Sequence, residues 1–240
     1  MSEQTMERVK SVLFAVCMST VCSLAILIVS TGLKERQDHN LLTDKRKNIL
    51  KAAGLLSRDQ SVTAAQIESL YKENIHTCYV DQEGRTYPDM SKDAKRMRIY
   101  FRVKGDDIVA YIIPIDTKGL WGQILGYLAL EKDGSTIAGF TVYSHSETPG
   151  LGGEIERSWF QKEFVGKKIV NQESEFVSIN IAKGKAPANV ADHTVDGISG
   201  ATLTGKFLTA GFKRILKAYE PVSVKFRTGG IGKIHSQHQD

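Results

Sequence analysis

Residues 11–33, SVLFAVCMSTVCSLAILIVSTGL, are 23 consecutive positions without a charge. A helix that crosses hydrocarbon needs about 20 such residues. Backbone groups in hydrocarbon must pair within their own segment, so the run is expected to be helical. A cleaved signal peptide is the competing reading. No A-x-A site follows the run, however, and the run exceeds an h-region of about 7–15 residues. Cys22 lies in mid-run with apolar residues still to come, which argues against a lipid-modified N-terminus. The segment therefore reads as an uncleaved membrane anchor behind a short tail, residues 1–10.

Orientation is contested by the charges. Arg8 and Lys10 precede the run, whereas Lys34, Arg36, Lys45, Arg46, Lys47 and Lys51 follow it. A plain count of basic residues puts the large domain in the cytoplasm.

The rest of the chain has the composition of a folded protein, 41% hydrophobic and 25% charged over 240 residues, which excludes wholesale disorder. The net charge of +5 is concentrated in residues 201–240, where seven basic residues face Glu220 and Asp240. A basic region can touch anionic lipid, nucleic acid or a phosphorylated ligand, or be a solvated helix face. The three cysteines include no CxxC, and no H-E-x-x-H occurs. A cluster or zinc site built by this chain alone is not expected, and no metal ligand is assigned.

Residues 35–56 read as helix, broken at Gly54, and Thr63 with Gln66 has capping-box spacing before a second helix. From residue 97 the pattern becomes alternating. MRIYFRVK, IVAYIIPI, ILGYLALE and TIAGFTVYSH read as strands, the last two as a hairpin around KDGS. Residues 154–164 read as helical, EFVSINIAK as a further strand and VSVKFR as a final one. Leu208, Phe212, Ile215, Leu216 and Tyr219 form an apolar stripe at helical spacing. The fold class expected is α+β: a single transmembrane helix, a helical stalk, then a mostly antiparallel sheet with packed helices.

The stretch DGISGATLT, residues 196–204, admits three readings. GISGA approximates a nucleophile elbow, but Ala201 replaces the last glycine and only His235 and His238 follow. Ser199 suits a helix N-cap. A helix N-terminus also suits a phosphate group, with Gly200 and Ala201 leaving the Thr202 hydroxyl unobstructed and Lys206 one turn on.

SGATLT resembles the flavin-attachment motif of the C-subunit family of sodium-translocating NADH:quinone oxidoreductases. HSETPGLGGEIE (145–156), KGLWGQILGYLAL (118–130) and DKRKNILKAAGL (44–55) are also similar to family sequence. The flavin-carrying G-subunit of Rnf electron-transport complexes shares ETPGLG and SGAT, whereas GLWG and GGEI favour the sodium-pumping family. The resemblance implies FMN bound covalently, by a phosphoester to Thr202. It implies cofactor contacts from Trp121, Glu147, Thr148, Leu151, Gly152, Ser199, Gly200, Ala201, Thr204 and Lys206. Asp196 matches the acidic residue recognised by an FAD-dependent flavin transferase that uses magnesium. A structural turn around Pro149 explains Glu147 and Thr148 without flavin, Trp121 alone suits a core, and His145 reads as a strand-end histidine. Gly205 stands where serine is expected and Gly197 where alanine is common.

The patterning divides the chain into a helical stalk and connector at 34–95, a sheet-and-helix domain at 96–227, which the resemblance identifies as FMN-binding, and a flexible tail at 228–240. The chain would relay electrons within an NADH-oxidising, quinone-reducing membrane complex, as one subunit among partners, with membrane lipid but no nucleic acid. No catalytic residue is assigned, because the chain holds no complete active site. NADH would bind elsewhere, since no G-x-G-x-x-G is present. The rival reading is a membrane-anchored, non-redox ligand-binding domain. The resemblance also implies a bacterial inner membrane with the flavin domain on the periplasmic side. Long domains translocate largely regardless of flanking charge, so periplasmic is the expectation despite the basic residues after the anchor.

Overall fold

A computed structural model describes residues 3–57, 60–89 and 96–231. The first element, α1 (Glu3–Ala52), carries the uncharged run and continues without a break to Ala52. The sequence suggests an anchor and a separate stalk helix here. No proline intervenes, and Lys34, Glu35 and Arg36 are good helix formers, so the helix has no reason to stop. Among the described residues it is the one helix long and apolar enough to cross a membrane. Its apolar side chains remain exposed, Ile26 by 70% and Ile28 by 69%. Its hydroxyls bond back to the helix: Thr20 Oγ1 donates to the Val16 carbonyl at 2.8 Å and Thr31 Oγ1 to that of Leu27 at 2.7 Å. No polar side-chain group of these threonines is left unpaired for hydrocarbon to penalise.

Residues 44–240 make a separate compact unit. Its centre is a six-stranded sheet in the order β2-β1-β3-β4-β5-β6. The strands are β1 (Ile75–Val80), β2 (Thr86–Tyr87), β3 (Met97–Lys104), β4 (Asp107–Lys118), β5 (Gln123–Glu131) and β6 (Ile137–Ser144). Every neighbour pair is antiparallel. Alternation along the strands feeds two cores. Ile99, Phe101, Tyr111, Ile113, Leu128 and Leu130 face one, and Tyr100, Ile112, Tyr127 and Ala129 face the other.

The second core is closed by Ile49, Leu50 and Ala52 at the end of α1 and by Ile67 of α2 (Ala64–Asn74). Helix α2 begins with the capping box that Thr63 and Gln66 promised. Arg102 Nη1 donates to the Ala53 carbonyl at 2.8 Å, satisfying an acceptor just beyond the end of α1. The first core is closed by Phe160 of α3 (Ser158–Lys162) and by the long helix α4 (Thr202–Arg227).

Three expectations need correction. Part of the span read as connector is strand: β1 and β2 extend the sheet. EFVSINIAK contributes only β7 (Asn180–Ile181), paired parallel to β8 (Thr194–Val195), because Ser178 adopts φ 69° and interrupts the extended run. VSVKFR is not a strand but the last turns of α4. Val222, Ser223 and Phe226 continue the buried stripe that starts at Leu208, and that packing outweighs the β-branched composition and Pro221. The tail beyond residue 231 lies outside the described residues.

Helix α4 is fixed to the sheet by buried polar ties and one close crossing. Tyr111 Oη and Ser223 Oγ are 2.7 Å apart, and Tyr219 Oη donates to the Arg98 carbonyl at 2.6 Å. Burial pushes both phenols above their ordinary range, so they remain protonated hydrogen-bonding groups. A Cβ at Gly211 would lie 2.0 Å from Thr117 Oγ1 and 2.4 Å from Thr117 Cβ. An exposed helical glycine gains up to about 1 kcal/mol on replacement by alanine. At Gly211 the sign should reverse. Gly211→Ala is expected to destabilise residues 44–240 by roughly 1–3 kcal/mol, the cost of overpacking. Chemical denaturation of the full chain in detergent measures it.

Candidate functional site

Three segments far apart in sequence meet at one buried carboxylate. The first is the β4–β5 connection, whose tight turn is closed by the Gly119 N–H donating to the Gly122 carbonyl at 2.6 Å. The second follows β6 and runs through Glu147 into a short 3-10 helix, Gly152–Glu156. The third is the start of α4. Glu147 is only 4% exposed. Its Oε1 accepts the N–H groups of Leu120 at 2.8 Å and Trp121 at 3.0 Å. Its Oε2 accepts the Thr204 hydroxyl at 2.5 Å. A buried carboxyl group is tolerated where its oxygens accept hydrogen bonds of this kind.

Glycines make the approach possible. A Cβ at Gly119 would stand 2.5 Å from Glu147 Oε1, and one at Gly152 would stand 2.5 Å from Thr204 Oγ1 and 2.7 Å from Glu147 Oε2. Thr148, read as a ring contact, is exposed, and its carbonyl accepts the N–H groups of Leu151 at 3.1 Å and Gly153 at 2.9 Å. The Pro149 turn is therefore real, and it leaves the Thr148 side chain in solvent.

The SGAT segment is a turn rather than a serine-capped helix start. The Ala201 N–H donates to the Ile198 carbonyl at 3.1 Å, and Gly200 sits at φ 74°. The N-cap position is Ala201, and no side chain caps the first turn of α4. Ser199, the candidate cap, is exposed outside the helix, so the capping reading fails. Thr202 is half-buried, and Lys206 is exposed one turn on. A Cβ at Gly200 would lie 2.7 Å from Leu151 Cδ2, so the two family-like loops touch where Gly200 lacks a side chain.

Around this junction large apolar side chains stand open: Trp121 69% exposed, Leu203 51%, Leu151 43% and Leu120 38%. Trp121 is thus not a core residue. Leu120 and Leu203 were not singled out from the sequence, because an exposed leucine gains meaning only from its neighbours. Asp196 lies just before the SGAT turn. Its Oδ1 accepts the Ala186 N–H at 2.7 Å, and its own N–H donates to Glu163 Oε2 at 2.8 Å. Burial raises the Glu163 carboxyl above the usual range; the Asp196 amide opposes this and the Asp196 charge adds to it. Gly197 is tightly constrained here, because a Cβ would stand 2.1 Å from the Ala182 carbonyl oxygen and the backbone would have to shift to admit one. Gly205 is less constrained, with Ile181 Cγ2 at 3.2 Å from a Cβ placed there.

The arrangement fits a flavin mononucleotide. An uncapped helix start offers N–H groups to a phosphate, and exposed apolar faces offer walls for a flat ring. The space around Gly150 is open, with nothing within 4 Å of a Cβ placed there.

A family model described as an FMN-binding domain matches residues 119–217, which takes in all three segments. The chain is 33% identical over 240 residues to the Na(+)-translocating NADH-quinone reductase C-subunit of Vibrio vulnificus, with 89% of this chain and 93% of that protein covered. It is 33% identical over 254 residues to the protein of the same name from Vibrio anguillarum, with 94% and 98% covered. Among solved structures it is similar to the C-subunit of the Na(+)-translocating NADH-quinone reductase of Parabacteroides distasonis, at a TM-score of 0.67 and 32% identity over 82% of this chain and 97% of that one. Shewanella oneidensis NqrC shares the fold at a TM-score of 0.62 and 22% identity, covering 81% and 98%.

The junction makes a test of its own. Glu147→Leu removes the acceptor of two part-buried amides and a buried hydroxyl and is expected to cost roughly 3 kcal/mol of stability. Glu147→Gln keeps an acceptor for the amides and a donor that the Thr204 hydroxyl can accept, and should cost about 1 kcal/mol. Denaturant titrations of both variants check the ranking.

Proposed function

Because this chain belongs to the C-subunit family of Na(+)-translocating NADH-quinone reductases, we propose that it is the membrane-anchored flavoprotein subunit of such a complex, carrying FMN through a phosphoester to Thr202. The observation that carries the reading is the position of Thr202. It opens a helix that no side chain caps, inside a region matched as an FMN-binding domain, beside a loop held in place by Glu147.

FMN supplies reversible electron transfer when bound. The chain's own residues do the rest. The first-turn N–H groups of α4 and the Lys206 ammonium compensate the charge of the phosphoester. Gly200 and Gly152 allow close backbone approach. Trp121 and Leu151 would supply apolar walls for the ring when FMN is bound, while Glu147 holds the amides of residues 120 and 121 and the Thr204 hydroxyl in fixed places. Ser199 and Ala201 directly precede the attachment hydroxyl in the turn that opens α4, and Thr148 stands exposed on the facing loop. NADH oxidation and quinone reduction belong to other subunits. A flavin transferase carrying FAD and magnesium reads Asp196, whose Oδ2 has no partner among the described residues. The charge pattern and the family disagree about sidedness, and we favour the periplasm, because a domain of about 200 residues escapes the charge rule.

Protein unfolded in denaturant should fluoresce as a flavin band on a gel, and peptide mass mapping should place FMN on Thr202. Thr202→Val should abolish the band with expression intact; a persisting band overturns the assignment.

Sidedness is tested with an Asp106→Cys variant lacking the native cysteines, in the exposed β3–β4 turn. Labelling of intact cells from which the outer barrier is removed, by a thiol reagent that cannot cross the inner membrane, is the expected result. Labelling only after that membrane is broken would put the domain in the cytoplasm.

A further inference from the structure

The backbone of Glu147 is itself held, by a residue with no place among the flavin contacts. His145 lies directly after β6. Its Nδ1 accepts the Glu147 N–H at 3.1 Å. Its Nε2 lies 3.3 Å from Glu156 Oε2, at the end of the 3-10 helix. An imidazole that accepts at Nδ1 must carry its neutral-state proton on Nε2, and that proton points at a carboxylate. The two contacts select the same tautomer. The ring is enclosed, with its side chain 13% exposed, and a Cβ at Gly153 would lie 3.4 Å from His145 Cε1. The ring therefore bridges the two ends of the turn that presents Glu147.

We propose that His145 is a positioning residue for this site: its neutral, Nε2-protonated ring fixes the Glu147 backbone, and protonation at Nδ1 releases that backbone together with the hydrogen bonds Glu147 makes to Leu120, Trp121 and Thr204. The charged group that faces the ring is Glu156 from the 3-10 helix; Glu147 meets the ring through its backbone N–H, with its carboxylate turned to Leu120, Trp121 and Thr204. Among the described residues no other titratable side chain lies within hydrogen-bond or ion-pair distance of it. Glu156 is 54% exposed and gains a charge-assisted bond when the ring becomes cationic. At the opposite nitrogen, protonation sets one N–H against another. Protonation trades the Glu147 tie for a stronger Glu156 tie, so the loop is held while the ring is neutral and loosens once the ring is cationic. Only the flavin readout of this inference rests on the FMN assignment.

Amide 15N NMR of the full chain in detergent, recorded from pH 8 to pH 5 with and without flavin attached, tests the proposal. The Glu147, Leu120 and Trp121 amide signals should move together through one inflection, and the visible flavin spectrum should change at the same pH. His145→Asn keeps an oxygen acceptor near the place of Nδ1 and does not titrate. It should retain the neutral-pH spectrum and lose the inflection. His145→Leu should show the acid-form spectrum at every pH. An inflection that survives in His145→Asn, or a Glu147 amide that does not titrate in the unaltered chain, overturns the proposal. Should the leucine variant fail to fold, the asparagine variant decides alone. Titrating amides in a chain that carries no flavin would leave His145 in this role and remove the cofactor instead. A flavin-bearing chain with still amides would do the reverse.

Discussion

A carboxylate shut away from water must be surrounded by donors, and Glu147 obtains its donors from three parts of the chain that share no secondary structure. The β4–β5 turn, the loop after β6 and the first turn of α4 are held together by that requirement. Two of them are short glycine-containing connections, and the third is the uncapped end of a helix. Satisfying one buried carboxylate orders all of them at once. The geometry explains why the glycines stand where they do. Gly119 and Gly152 face the carboxylate itself, and Gly200 faces Leu151 across the gap between two loops.

The sheet supplies the frame that holds that junction in place. Helix α4 presents Thr202 and Thr204 at one end, and its remaining turns are packed and tied to β3 and β4 through Gly211, Tyr219 and Ser223. A shift of the helix along the sheet would carry Thr204 away from Glu147. The bulk of the domain therefore acts on the site through the seat of one helix, as expected of a scaffold that leaves redox chemistry to a cofactor and supplies placement.

Much of this was readable in the sequence, for identifiable reasons. The long apolar helix follows from 23 uncharged positions, the β5–β6 hairpin from alternation around KDGS, and the α2 start from Thr63 and Gln66. These are local patterns. The 222–227 segment misled because Val222, Val224 and Phe226 favour strands locally, whereas the periodicity with Leu208 to Tyr219 decides the matter over a longer span. The two-residue length of β7 depends on the φ of Ser178, which no neighbouring residue type announces. Glu147 was legible as a site residue by resemblance, but its partners were not. Thr204 is 57 positions away, and Leu120 and Trp121 offer main-chain groups that any residue would offer. His145, readable only as a strand-end histidine, acquires its place from a contact two residues on that depends on the fold of the turn.

Assembly of the site depends most on Glu147 and Thr204 acting as one unit that joins the loop to α4. A double-mutant cycle of Glu147→Leu and Thr204→Val, read by denaturant unfolding of the full chain in detergent, measures this directly. The double variant should be less destabilised than the sum of the single variants by more than about 0.5 kcal/mol, the signature of residues in contact. Costs that add within about 0.5 kcal/mol would mean that the two residues act independently, and that the site is not assembled around the carboxylate.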